Sequence, residues 1–97
     1  MKEELLRRNY EILNYRTVDE QIPIWVEELS ELTKELCKRQ RKGCFNDEMY
    51  ENTKLEITDV QVCLDQMKEA LNYNLTEQEK NYSYKVERTL DILHNSH

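Results

Sequence analysis

Apolar residues in this chain recur at helical rather than strand spacing. Leu5, Leu6, Tyr10, Ile12 and Leu13 return every three to four positions between Lys2 and Tyr15, which predicts a short amphipathic helix. Ile22, Trp25, Leu29, Leu32 and Leu36 form a second stripe, and Ile57, Val60, Leu64, Met67 and Leu71 a third. Both stripes are expected to face a core. A narrower strip, Leu55 and Val62 with Thr58 beside them, faces away from the third stripe and is a candidate subunit contact.

Polar punctuation sets the boundaries. Thr17-Val18-Asp19-Glu20 has the form of a capping box, in which a hydroxyl and a carboxylate satisfy free backbone N–H groups at a helix start. Pro23 lies about a turn further on and either begins the regular helix or bends it. That helix is expected to run to Lys42, because Gly43 is the sole glycine and stands where a C-terminal cap requires positive φ. Asn46 is the expected N-cap of a third helix, from Asp47 to about Asn72. Asn72 to Leu75 reads as a turn, and Thr76 to Glu79 as a second capping box opening a final helix that ends near His94. The expected fold is all-α, a four-helix antiparallel bundle with short connections. It forms a single domain over residues 1–97, with an N-terminal helix in 1–16 and the core in 18–93.

Composition narrows this picture. With 38% apolar and 35% charged residues in 97 positions, the core must be small, so copies sharing a core as a homo-oligomer, a dimer or tetramer, are expected. One Gly and one Pro exclude a turn-rich β-sandwich and a Gly-rich phosphate loop. The net charge of −6 argues against nucleic acid as a partner, since no dominant basic face is available for phosphates. Charges interrupt each apolar pair in MKEELLRRNYEIL, and no apolar run is long enough to span a bilayer. No membrane association and a cytoplasmic location are therefore expected. Cys37, Cys44 and Cys63 form no C-x-x-C pair and read as reduced structural thiols.

The candidate chemistry lies in the acids. Glu28, Glu31 and Glu35 share a strip beside the second apolar stripe, while Glu27 points further round the helix. Glu56 and Asp59 flank the third stripe in the same way. Each helix thus carries an acidic pair at i and i+3, and two such helices packed antiparallel can aim four carboxylates into one cleft. Like charges crowded there need a counter-charge. An oxygen-only, histidine-free set suits Mg²⁺ or Mn²⁺ and, through the ion, phosphate groups. The bland alternative is a solvated glutamate face, common in acidic helices.

The stretch Val26-Glu27-Glu28-Leu29-Ser30-Glu31-Leu32, followed after 24 residues by Glu56-Ile57-Thr58-Asp59-Val60, resembles the paired ExxE and ExxD motifs of the MazG-like, all-α nucleoside triphosphate pyrophosphohydrolases. The likeness is greatest to short members common in phage and prophage genomes. It covers residues 18 to 93 and includes Gln21. The resemblance implies Mg²⁺-dependent cleavage of a nucleoside triphosphate between the α and β phosphorus atoms, giving monophosphate and pyrophosphate. It also implies that Glu28, Glu31, Glu56 and Asp59 hold the metal, and that Glu27 or Glu28 orients the attacking water. Some members carry an aromatic one turn after the ExxD acid and a Lys with an Asn in the final helix. Here those positions hold Cys63, and Lys85 with Arg88. Lys85 and Arg88 are candidates to reach the phosphates, or else surface charges. Trp25, one turn before Glu28, is a candidate to stack on a base, or else part of the core. Two other readings compete: a di-iron carboxylate bundle, which needs Glu-x-x-His ligands absent from this sequence, and a non-enzymatic helical interaction module or inactive relative.

Overall fold

A computed structural model describes residues 2–96. It is helical throughout, with no strand among the described residues. Helix α1 spans Glu3–Tyr10 and runs into a 3₁₀ turn at Glu11–Asn14. Helices α2 (Val18–Lys42), α3 (Asp47–Ala70) and α4 (Leu75–Ser96) follow.

The caps read from the sequence form at the first three boundaries. The Glu20 N–H donates to Thr17 Oγ1 and the Thr17 N–H to Glu20 Oε1, both at 3.1 Å, closing the capping box of α2. Pro23 sits inside α2, and the helix continues through it to Lys42. Gly43 adopts φ +80° and its N–H donates to the Arg39 carbonyl at 2.9 Å. The Met49 N–H donates to Asn46 Oδ1 at 2.8 Å, starting α3. Between them Phe45 packs edge-on against Tyr50, with the Arg39 guanidinium over its other side.

The last boundary differs from expectation. Helix α3 ends in a Schellman turn, with Asn72 at φ 53° and its neighbour Tyr73 N–H donating back to the Lys68 carbonyl. The cap of α4 is Asn74, not Thr76. Its Oδ1 accepts from the Glu77 N–H at 2.9 Å, and its Nδ2 donates to Glu77 Oε1 at 2.7 Å. Asparagine is among the strongest N-caps and stands two residues after the left-handed Asn72, so the helix starts there and Thr76 is already inside it.

Helices α2 and α3 form the principal contact, and their register is antiparallel: Gln21 meets Gln66 near one end, and Glu28 lies by Asp59 towards the middle. Helix α1 packs on α3 as the third member. The seam is partly polar. Its buried apolar residues are Trp25, Met49, Val60 and Cys63, while the deepest positions are Gln21 and Gln66. Gln66 Oε1 accepts from Gln21 Nε2 and from Trp25 Nε1, each at 2.8 Å, and Gln66 Nε2 donates to Asn9 Oδ1 at 2.8 Å. Asn9 Nδ2 donates in turn to the Val62 carbonyl, so one glutamine ties α1, α2 and α3 together.

The expected core stripes are divided. Trp25 and Leu32 in α2, and Val60 and Met67 in α3, turn inward as expected. Ile22, Leu29 and Leu36, and likewise Ile57, Leu64 and Leu71, are exposed. The inward face of α2 is instead Gln21, Trp25, Glu28, Leu32 and Glu35, rotated by part of a turn so that the acid strip enters the seam. Leu55, Thr58 and Val62 are exposed, in keeping with a strip facing away from the core. Helix α4 is the fourth helix of the arrangement, and among its described residues none is buried.

Candidate metal centre

The rotation of α2 brings the acids together. Glu28 from α2 and Glu56 and Asp59 from α3 offer carboxylate oxygens that all lie within 4.8 Å of one another. Glu28 and Glu56 are half-buried and Asp59 is exposed, so the cluster opens to solvent on the Asp59 side. The i, i+3 spacing of Glu56 and Asp59 stacks them one turn apart on α3. Val60 and Cys63, buried immediately beside them, hold that face against α2.

The groups feel one another. Partial burial raises the Glu28 carboxyl above its ordinary value, and the nearby carboxylates of Asp59, Glu56 and Glu27 raise it further. Glu56 is raised by desolvation first, then by Asp59, Glu31 and Glu35. Burial pushes the Cys63 thiol up, with Glu28 and Asp59 adding to the effect. All of the charges acting on Glu28 and Glu56 are carboxylates. Neither Lys85 nor Arg88, both on α4, is among them, and the lysines that pair with acids of the same strip, Lys34 and Lys38, bind Glu31 and Glu35.

Glu31 stands at the edge of the cluster. Its Oε1 pairs with Lys34 Nζ at 3.2 Å, though its charge still reaches Glu56. Glu35 is the residue that the motif reading left out of the ligand set. Its Oε1 pairs with Lys38 at 3.1 Å, while its Oε2 is buried without a hydrogen-bond partner. Glu56 Oε2 is orphaned in the same way. The signal for Glu35 was its place on the same strip as Glu28 and Glu31. Two buried, unpartnered carboxylate oxygens, one in the cluster and one beside it, are costly as they stand, and a divalent cation is one group that would satisfy them. The donor set, all oxygen and without histidine or thiolate at the centre, fits a hard ion.

The remaining candidates lie elsewhere. Glu27 is exposed next to the cluster, close enough for its charge to act on Glu28. Trp25 is 7% exposed with its indole N–H donated to Gln66, so its ring belongs to the α2–α3 seam and is not free to stack on a base. Lys85 lines a groove with Lys68, Tyr73 and Tyr82, and Arg88 is exposed on α4. Cys37 and Cys44 are free and exposed, Cys63 free and buried. No helix is long and apolar enough to cross a membrane among the described residues. No protein-family model matches this chain, and no curated protein or solved structure is significantly similar to it.

Proposed function

We propose that the protein is a Mg²⁺-dependent nucleoside triphosphate pyrophosphohydrolase, as its resemblance to the MazG-like enzymes implies. The observation that carries this reading is the convergence of Glu28, Glu56 and Asp59, from two helices, to within 4.8 Å. The orphaned oxygens of Glu35 and Glu56 support it, because among the described residues neither has a hydrogen-bond partner and Lys38 pairs only with the other oxygen of Glu35. Glu28, Glu56 and Asp59 hold the ion, with Mn²⁺ as a substitute, and Glu31 and Glu35 add negative charge behind them. When bound, Mg²⁺ neutralises the triphosphate, lowers the pKa of a coordinated water and stabilises the leaving pyrophosphate.

The chain's own part is positioning. Asp59, at the open side of the cluster, faces the direction from which a triphosphate enters. Glu27, not engaged by the ion, orients the attacking water or accepts its proton, a task for which Glu28 is the alternative. No covalent nucleophile takes part, and buried Cys63, with its thiol held protonated, is unsuited to be one.

The test is incubation with Mg²⁺ and a panel of ordinary and modified nucleoside triphosphates, with pyrophosphate as the readout. Release from at least one nucleotide is expected, reduced by at least about a hundredfold in Glu56→Gln, since loss of even an outer partner of a metal site costs up to that factor. A rise in melting temperature with Mg²⁺ or Mn²⁺, absent in the same variant, is expected alongside. No release from any nucleotide together with no metal-dependent stabilisation overturns the proposal and favours the interaction-module reading.

A further inference from the structure

The geometry points to a binding site for a short aliphatic diamine in the cavity that α1 forms with the end of α3 and the turn to α4. The cavity measures about 380 Å³, within the roughly 300–1,000 Å³ of small-molecule pockets. Leu6 and Tyr10 of α1, Asp65, Lys68 and Glu69 of α3, and Tyr73 of the turn line it. It shares no residue with the cluster of Glu28, Glu56 and Asp59.

Asp65 decides the kind of ligand. It is 7% exposed and the one buried residue of the lining, and a buried carboxylate is costly unless its oxygens are paired. Gln61 Nε2 donates to its Oδ1 at 3.2 Å, while Lys68 Nζ stands 4.0 Å from the same oxygen, at the outer limit of an ion pair. Both partners address one oxygen, and Oδ2 is left to the cavity. Glu69 follows one turn later on α3 and is exposed, its Cβ about 5–6 Å from that of Asp65. The two acids act together on the Tyr10 phenol, whose pKa is raised by burial first and then by the charges of Glu69 and Asp65. One lysine against two carboxylates leaves the lining net negative.

A cation therefore belongs here, and an organic one fits better than a metal. Among the described residues only Glu28, Glu56 and Asp59 bring three ligand oxygens within 4.8 Å. Leu6, Tyr10 and Tyr73 offer instead a surface for methylene groups, and tyrosine faces attract ammonium ions. A diamine whose two nitrogens lie about a helical turn apart reaches Asp65 and Glu69 at once, while its carbon chain covers the rings. Bound so, it joins α1 to α3.

The site needs neither nucleotide nor the metal cluster, so its test stands apart from that of the proposed activity. Putrescine is titrated calorimetrically into the full chain in about 0.15 M salt, with Mg²⁺ in excess. Saturable one-to-one binding is expected. Asp65→Asn, and Glu69→Gln at an exposed position that folding tolerates, are each expected to weaken it about tenfold, the worth of one charge-assisted hydrogen bond. Lys68→Gln removes the competing ammonium and is expected to tighten it. Butylamine, with a single nitrogen, is expected to bind about tenfold more weakly than putrescine. Glu56→Gln is expected to leave putrescine binding unchanged, and α1 amides are expected to gain protection from hydrogen exchange when the diamine is bound. No saturable binding at millimolar putrescine overturns the inference. So does binding that Glu69→Gln and Lys68→Gln both leave unchanged. Binding that Glu56→Gln or excess Mg²⁺ abolishes overturns it too, since the diamine is then only a counter-ion of the metal cluster.

Discussion

Glu28 and Glu56 have their proton affinities raised by partial burial and by carboxylate neighbours, and the sign of the consequence follows. Between the ordinary value of 4.5 and the raised native values, the folded chain binds more protons than the unfolded one. Stability therefore falls as pH rises through that window and recovers as pH is lowered through it. Glu20 acts in the opposite sense: its capping hydrogen bonds to Thr17 lower its pKa, so its contribution is lost below 4.5. Thermal melts of metal-free protein are expected to show greater stability a little above 4.5 than at neutral pH. A divalent cation stabilises the ionised cluster, so the Mg²⁺-induced rise in melting temperature is expected to be larger at neutral pH than near 5. A flat profile, or one rising steadily to neutrality in wild type and Glu56→Gln alike, would show that the cluster carries no such strain. The acids were legible at this scale because spacing alone puts Glu28, Glu31 and Glu35 on one strip and Glu56 and Asp59 on another. Their separation across the seam was not. Glu35 lies two turns on from Glu28 along the inward face of α2 and Glu31 lies to the side of that line, and which flank of the apolar stripe turns inward is set by packing against α3.

At the scale of elements, Gln66 is the residue on which the arrangement of α1, α2 and α3 depends. It is 2% exposed and spends three hydrogen bonds, two on successive turns of α2 at Gln21 and Trp25 and one on Asn9 of α1. Gln66→Ala leaves the buried Gln21 amide and the Trp25 indole N–H without an acceptor. The expected loss is about 2–4 kcal/mol, since each abandoned buried polar group costs about 1–3 kcal/mol and partial rehydration recovers some of it. Urea unfolding checks this, and α1 is expected to detach first, because its tie to α3 runs through Asn9. Helix ends were readable from sequence because Thr17, Gly43 and Asn46 act locally, each on backbone within a turn of itself. The inward faces were only half readable. Each expected stripe mixes residues of the seam, Trp25 or Val60, with residues of the adjoining exposed flank, Leu29 or Ile57. Apolar periodicity reports burial by any partner, and it cannot separate a seam within the chain from one that lies outside it. Nor does any hydropathy pattern announce that two glutamines occupy the deepest positions.

For the whole molecule, the mismatch between a small polar seam and an extended shape sets how stability must scale with concentration. If the exposed apolar faces of α2 and α4 are buried only in the dimer that the composition leads one to expect, unfolding and dissociation are one event and obey mass action. A tenfold dilution then costs about 1.4 kcal/mol per dimer. For roughly 190 residues unfolding together, each kcal/mol moves the melting temperature by about 2–4 °C. The expected fall is therefore about 3–6 °C for each tenfold dilution, with Mg²⁺ and nucleotide absent. A melting temperature constant over two decades of concentration would mean that α1, α2 and α3 hold themselves together and that α4 stands free. In that case Val86→Glu and Leu90→Glu would leave the melt unchanged, while Gln66→Ala would still lower it. The two experiments thus distinguish a fold completed within the chain from one completed between copies.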